Sequence, residues 1–160
     1  MKKIIIEGCD GTGKTTLCKK LAEHYGLDIV HVTSNDPNDF QFYKQLLRKT
    51  NVVFDRHFVG ELIYPVIYNR PGKLSFTGAS YLRELCIEED VILIILTADL
   101  EEIRKRLQVR GEEKFVFDAV PRILDQFNYL AEHLQIRTFD TSKDSFESIC
   151  HYIDANCGSM

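Results

Sequence analysis

The chain has 160 residues, 44% of them hydrophobic, with 20 basic against 24 acidic side chains and a formal net charge of -4. A chain of this length buries about 70% of the surface its unfolded form exposes, so one domain with its own core is expected over residues 1–157, with 158–160 as a flexible tail. Acidic and basic residues interleave throughout, which leaves no basic face for duplex DNA or RNA, and nucleic acid is not expected as a partner.

From the N-terminus, Met1-Lys2-Lys3 and Ile4 to Ile6 form too short an apolar run for a secretory signal, and Glu7 interrupts it. Lys3 to Glu7 is β-branched and predicts a strand; Lys14 to Tyr25 follows, with Leu17, Leu21 and His24 at helical spacing. Leu27 to Val32 predicts a second strand, Asp39 to Arg48 a helix, and Asn51 to Asp55 a third strand. Pro65, Pro71 and Gly72 mark Pro65 to Phe76 as a surface excursion. Helices are expected over Thr77 to Glu89, Leu100 to Arg110, Asp118 to Leu134 and Lys143 to Asn156. Val91 to Leu96, far short of a bilayer span, and Ile136 to Asp140 supply the fourth and fifth strands. Strands that are apolar throughout belong in a sheet covered on both faces, and their alternation with helices predicts an α/β fold with an open, parallel, doubly wound sheet. Cys9, Cys18, Cys86, Cys150 and Cys157 form no C-x-x-C pair, which fits a reduced, cytoplasmic protein with no membrane partner.

Gly8-Cys9-Asp10-Gly11-Thr12-Gly13-Lys14-Thr15 satisfies G-x-x-x-x-G-K-[ST] between a strand and a helix. Glycines let successive N–H groups face one anion, and the helix adds its positive N-terminus. Lys14 can reach the β- and γ-phosphates of ATP, and the Thr15 hydroxyl can ligate magnesium. The candidate nucleotide-binding set is therefore Gly8, Asp10, Gly11, Thr12, Gly13, Lys14, Thr15 and Thr16. Asp10 would repel phosphates if aimed at them, so it is read as turned towards a second substrate, against the alternative of a turn residue bonded to its own backbone. Cys9 at a helix N-terminus could carry a depressed thiol pKa; a passive small residue is the preferred reading.

Asp55-Arg56-His57 ends the third strand, where ligands of an open parallel sheet bind. Asp55 is the candidate second magnesium anchor or general base, and Arg56 the candidate phosphate clamp. Arg106 and Arg110, four apart on one helix face, are candidate catalytic arginines of a lid over residues 105–116, with Gly111 ending the helix or hinging the lid. Asp99 and Glu102 fit a capping pair, and His24, His31, His133 and His151 lack metal-ligand spacing.

Ile6-Glu7-Gly8-x-Asp10-Gly11-x-Gly13-Lys14-Thr15-Thr16, Asp55-Arg56-His57 and Arg110-Gly111-Glu112 together resemble the thymidylate kinase and deoxynucleoside kinase group of phosphate-binding-loop kinases. The resemblance implies a three-layer fold with five parallel strands in the order 2-3-1-4-5. It also implies that Asp10 binds the sugar 3'-hydroxyl, Asp55 acts near magnesium, Arg56 holds the acceptor phosphate and Asp140-Thr141-Ser142-Lys143 borders adenine. Gly11 stands where some of these enzymes carry an arginine, which implies that the lid arginines take over that role. The chain departs from the group at Thr33-Ser34-Asn35-Asp36-Pro37 and in the short stretch of about fifteen residues from Phe40 to Asp55. Gly60 and Pro65 replace an expected serine and glutamine, while Tyr64 stays in register, so thymidine specificity is not supported. The expected activity is transfer of a phosphoryl group from ATP, with magnesium, to a nucleoside monophosphate, a deoxynucleotide in particular. The alternatives are a deoxynucleoside kinase with Glu7 or Asp55 as base, and an ATP-binding switch or ATPase. Oligomeric state is left open, a homodimer included.

Overall fold

The computed structural model describes residues 1–158; the last two residues of the expected tail lie outside the described residues. Five parallel strands, β1 (Lys3–Gly8), β2 (Asp28–His31), β3 (Val52–Asp55), β4 (Ile92–Thr97) and β5 (Arg137–Asp140), form one sheet in the order β2-β3-β1-β4-β5. Register sets Ile6 beside Asp55 and Gly8 beside Leu96, so the ends of β1, β3 and β4 open on one edge. Every described crossover is helical, through α1 (Lys14–Tyr25), α2 (Phe40–Leu46), α3 (Tyr64–Ile67), α4 (Phe76–Glu88), α5 (Leu100–Arg110) and α6 (Lys114–His133), and α7 (Phe146–Asn156) follows β5.

Side chains of a strand alternate between the two faces, and each face here has its own apolar layer. Ile5, Phe54, Leu93 and Ile95 pack with Tyr43, Leu82, Ile103 and Phe127. Ile4, Ile6, Val53 and Ile94 pack with Leu17, Leu21, Ile149 and Ile153. Burial on both faces holds only for the three inner strands. The edge strand β2 leaves Asp28, Ile29 and His31 exposed, and β5 leaves Arg137 and Thr138 exposed, because each has a neighbour on one side alone.

Capping side chains fix several helix starts. Phe42, Gly78 and Ser148 donate backbone N–H to Asp39 at 2.8 Å, Ser75 at 3.0 Å and Ser145 at 3.1 Å. The last of these starts α7 three residues later than expected: Asp140 instead binds the turn, accepting from Ser142 N at 2.8 Å. Asp99 does not cap α5. Its backbone N donates to Ser142 Oγ at 2.9 Å, and Glu102 pairs within the helix with Arg106 at 3.3 Å, so the expected capping pair gives way to one tertiary and one i,i+4 contact. α6 begins at Lys114, a turn before the expected Asp118, and carries Pro121 inside it. The proline-marked segment opens with α3, whose Tyr64 and Pro65 are buried, so it is a surface excursion only beyond that turn. No described helix is long and apolar enough to cross a membrane.

Ile94, paired with Ile6 at the centre of the sheet and fully buried, has no room to relax. Ile94→Ala should lower unfolding free energy by about 2–5 kcal/mol, read from urea denaturation.

Candidate active site

β1 ends at Gly8, with φ 148°; a Cβ there would lie 2.7 Å from Leu96 O and 2.9 Å from Thr12 Oγ1. A Cβ on Gly11, with φ 83°, would meet Ile103 of α5 at 3.0 Å. The loop is thus wedged between β4 and α5, and only glycine fits these two positions. Thr12 Oγ1 and Lys14 Nζ both donate to Cys9 O, at 2.6 and 3.0 Å, which closes the loop around one carbonyl. Burial, then the Arg56 guanidinium, push the Lys14 pKa down, while Asp10 and Asp55 hold it up. The Cys9 thiol is buried and pushed up to about 12, chiefly by burial, so it is a passive packing residue.

At the end of β3, the buried Asp55 accepts from Thr15 Oγ1 at 2.8 Å through Oδ2, and His31 Nδ1 lies 3.0 Å from the same oxygen. Asp55 Oδ1 is buried without a partner. A carboxylate oxygen left bare beside a threonine hydroxyl is a hard-oxygen donor set that suits magnesium. His31 has the carboxylate partner that its sequence context did not show, because the pairing of β2 with β3 sets it beside Asp55.

Arg56 adopts φ 73°, rare for a side-chain-bearing residue, while its N donates to Ile6 O at 3.0 Å. Its Nη2 reaches Asp10 Oδ1 at 2.6 Å, and the guanidinium lies 5.2 Å from the Tyr64 ring centre. Glu7 fixes this turn. Its buried carboxylate accepts from His57 N at 2.5 Å and from Gly60 N at 2.6 Å. Burial raises its pKa to about 7 against the pull of those two bonds and of Arg56 and Lys14. His57 does not face the phosphate loop as expected of its motif. Its ring packs among Tyr43, Phe54 and Phe58, and burial lowers its pKa to about 3.

Three clefts meet at the loop. One of about 460 Å³ collects Lys14, Thr15, Thr16, Asp55, Arg56 and Arg110, with Asp10, Gly11 and Gly13. A second, about 350 Å³, lies between Thr12, Arg106, Thr141, Phe146 and Ile149. A third, about 230 Å³, shares Asp10 and Arg56 with the first and runs to Glu61 and Arg70. The two expected lid arginines therefore serve different clefts. Arg106 Nη1 donates to Gly11 O and Thr141 Oγ1, both at 3.0 Å, and braces the loop against the end of β5. Arg110 lines the cleft that holds Lys14 and Asp55 and pairs with Glu112 at 3.0 Å. The segment 105–116 is the end of α5, a connection at 111–113 and the start of α6, with Gly111 in the left-handed conformation. Glu61 and Arg70 were not singled out in the sequence. Their one signal was an acidic residue set among Val59, Leu62 and Ile63 shortly after Asp55.

The sheet order, the glycine loop and the clefts beyond the strand ends define the phosphate-binding-loop kinase fold. No family model matches the chain. It is 26% identical to the SPβ prophage-derived uncharacterised protein YorR of Bacillus subtilis over 157 residues, covering 93% of this chain and 94% of that protein. A probable thymidylate kinase of Methanocaldococcus jannaschii is 22% identical over 177 residues, covering 91% and 90%. The crystal structure of YorR in complex with phosphorylated GDP superposes with a TM-score of 0.81 at 23% identity, covering 96% and 94%. The thymidylate kinase of Candida albicans gives 0.65 at 18% identity, covering 97% and 92%. The deoxyadenosine kinase of M. mycoides with bound dCTP gives 0.62 at 17%, covering 96% and 99%.

Gly8→Ala should cost at least about 1–3 kcal/mol in thermal unfolding and disrupt the loop, because neither the dihedral nor the Leu96 carbonyl accommodates a methyl. The folded state holds the Glu7 proton more tightly than the unfolded chain, so that stability is present below pH 4.5 and lost as pH rises through about 7. Melting curves of the parent protein should therefore fall relative to Glu7→Gln across that window; parallel curves would show that Glu7 does not titrate there.

Proposed function

We propose that the protein transfers the γ-phosphoryl group of ATP to a nucleoside monophosphate, a deoxynucleotide in particular, and releases ADP. The observation that carries this reading is the placement of Arg56. It belongs both to the cleft that holds Lys14 and Thr15 and to the cleft on its other side, so a phosphate-bearing acceptor would bring its anion to this cation. A bare 5'-hydroxyl would instead need a base. Glu7 is buried under two backbone N–H groups; Asp55 Oδ2 is engaged by Thr15 and His31, and its bare Oδ1 is assigned to magnesium in this reading.

In this reading Gly8, Gly11, Thr12, Gly13 and Thr16 cradle the ATP phosphates with the N-terminus of α1, and Lys14 neutralises the β- and γ-oxygens. Thr15 and Asp55 would hold magnesium, which would supply charge neutralisation at the transferring phosphoryl group. An oxygen of the acceptor phosphate attacks the γ-phosphorus, the bond to the ADP oxygen breaks, and Arg56 holds the attacking group in line. Asp10, fixed by Arg56, takes a sugar hydroxyl. Arg110 adds positive charge at the phosphates. Arg106 borders the adenine side with Thr141, where its hydrogen bonds to Gly11 and Thr141 hold the loop shut. The names of the similar thymidylate and deoxyadenosine kinases, and the phosphorylated GDP bound by the similar YorR, support a nucleotide chemistry.

A second reading, a deoxynucleoside kinase, is favoured by one contact: the 2.6 Å pair with Asp10 already neutralises Arg56. ADP release from magnesium ATP, measured against nucleosides and nucleoside monophosphates, separates the two. Stimulation by a monophosphate is expected, and Lys14→Ala should reduce it by about a hundred-fold or more. Stimulation by nucleosides alone would establish the second reading, and ATP consumption indifferent to every acceptor would establish an ATPase.

A further inference from the structure

We infer that the acceptor cleft selects a guanine base, with Glu61 as the specificity-determining residue and Arg70 beside it; the inference rests on the kinase reading above. Asp10 and Arg56 line both this cleft and the phosphate cleft, whereas Glu61 and Arg70 line this one alone. An acceptor with its phosphate at Arg56 therefore directs its base to the Glu61 side.

Glu61 is placed rigidly. It lies on the 3₁₀ turn Val59–Leu62, next to Gly60, whose N–H is tied to Glu7. Its side chain is only 4% exposed, yet what it receives from the protein is weak. Lys73 N approaches Oε1 at 3.3 Å, Arg70 Nη1 stands 3.9 Å away, and Oε2 takes no hydrogen bond among the described residues. Its free oxygen therefore faces the cleft, and a base that closed the cleft over this carboxylate would have to supply it with donors. On the same cleft His57 is 2% exposed and neither ring nitrogen has a partner. Asn38 offers no free partner, because its oxygen accepts from Tyr43 OH at 2.7 Å and its amide nitrogen donates to two carbonyls.

The unmet groups define the base. A carboxylate presents two acceptor oxygens and a guanidinium presents only donors. Guanine alone among the common bases carries two adjacent donors, N1–H and the N2 amine, which satisfy both oxygens of Glu61. Its O6 and N7 are adjacent acceptors, matched by the paired N–H groups of the Arg70 guanidinium. Adenine and cytosine place a ring-nitrogen lone pair beside their single amine, and it would face the second carboxylate oxygen. Thymine and uracil flank one N–H with two carbonyls, so a carbonyl would oppose the carboxylate. Each mismatch leaves a buried polar group without a partner, the arrangement that rejects a wrong substrate most strongly.

Calorimetric titration of the intact protein with GMP, dGMP, dAMP, dCMP, dTMP and dUMP tests this, alongside ADP release with the same acceptors. A guanine nucleotide should bind at least about ten-fold more tightly than any other. Glu61→Gln should remove most of that preference, because its amide offers one acceptor and one donor. Arg70, about a third exposed on its side chain, gives a second variant with little burden on folding. Arg70→Gln should weaken guanine binding about ten-fold while leaving a cooperative melt. Preference for adenine or a pyrimidine, with ADP release intact, would overturn the inference and leave the kinase reading standing. A guanine preference unchanged in both variants would overturn the role of this pair. Binding of no monophosphate, with no stimulated ADP release, would remove both readings.

Discussion

The carboxylate of Glu7 joins two parts of the chain that the site cannot use separately. Glu7 is next to the last residue of β1, immediately before the glycine loop. Its two oxygens accept the N–H groups of His57 and Gly60, on the far side of Arg56. Distance between the loop and the Arg56 turn is thereby set by two short, buried, charge-assisted bonds rather than by flexible side chains. The cost is visible in the pKa raised to about 7, since burial works against the charge that makes the bonds strong. Arg56 can hold a left-handed backbone only because this turn is anchored on both sides, by Glu7 and by Ile6 O.

From that anchor the remaining geometry follows. The Arg56 guanidinium meets Asp10 across the mouth of two clefts, and the 3₁₀ turn that starts after it aims Glu61 into the second of them. On the other side of the loop, Arg106 ties Gly11 to Thr141, so the loop is held at both flanks by arginines whose partners lie on different elements. Little of this arrangement can move independently, because Gly8 and Gly11 already touch β4 and α5. In the proposed phosphoryl transfer such rigidity would count, since positioning and fixed charge supply most of the catalysis of that reaction.

Much of the fold was legible in the sequence because its signals are local. The apolar runs of β1 and β4, the periodicity of α1 and α5, and the glycine loop between strand and helix all depend on neighbours within a few residues. The five-strand order came from the resemblance and is the order observed. Misread boundaries have local competitors that only packing resolves. α6 runs through Pro121 because tertiary burial of Val120, Ile123 and Phe127 outweighs one lost backbone bond, and Ser142 rather than Glu102 accepts the Asp99 N–H.

The sequence by itself determined the strands, most of the helices, the glycine loop and most of the residues that line it, since each is encoded in contiguous patterning. Tertiary structure alone decided which of those residues meet. Lys14, Thr15, Asp55 and Arg110 come together from three elements, and His31 reaches Asp55 only through strand pairing. His57 turns inward despite its motif, and Arg106 parts from Arg110 although they share a helix. Glu61 and Arg70 enter the cleft beside Asp10 and Arg56 without any sequence motif. Side-chain direction and desolvation depend on what packs from distant parts of the chain, and no local pattern carries that information.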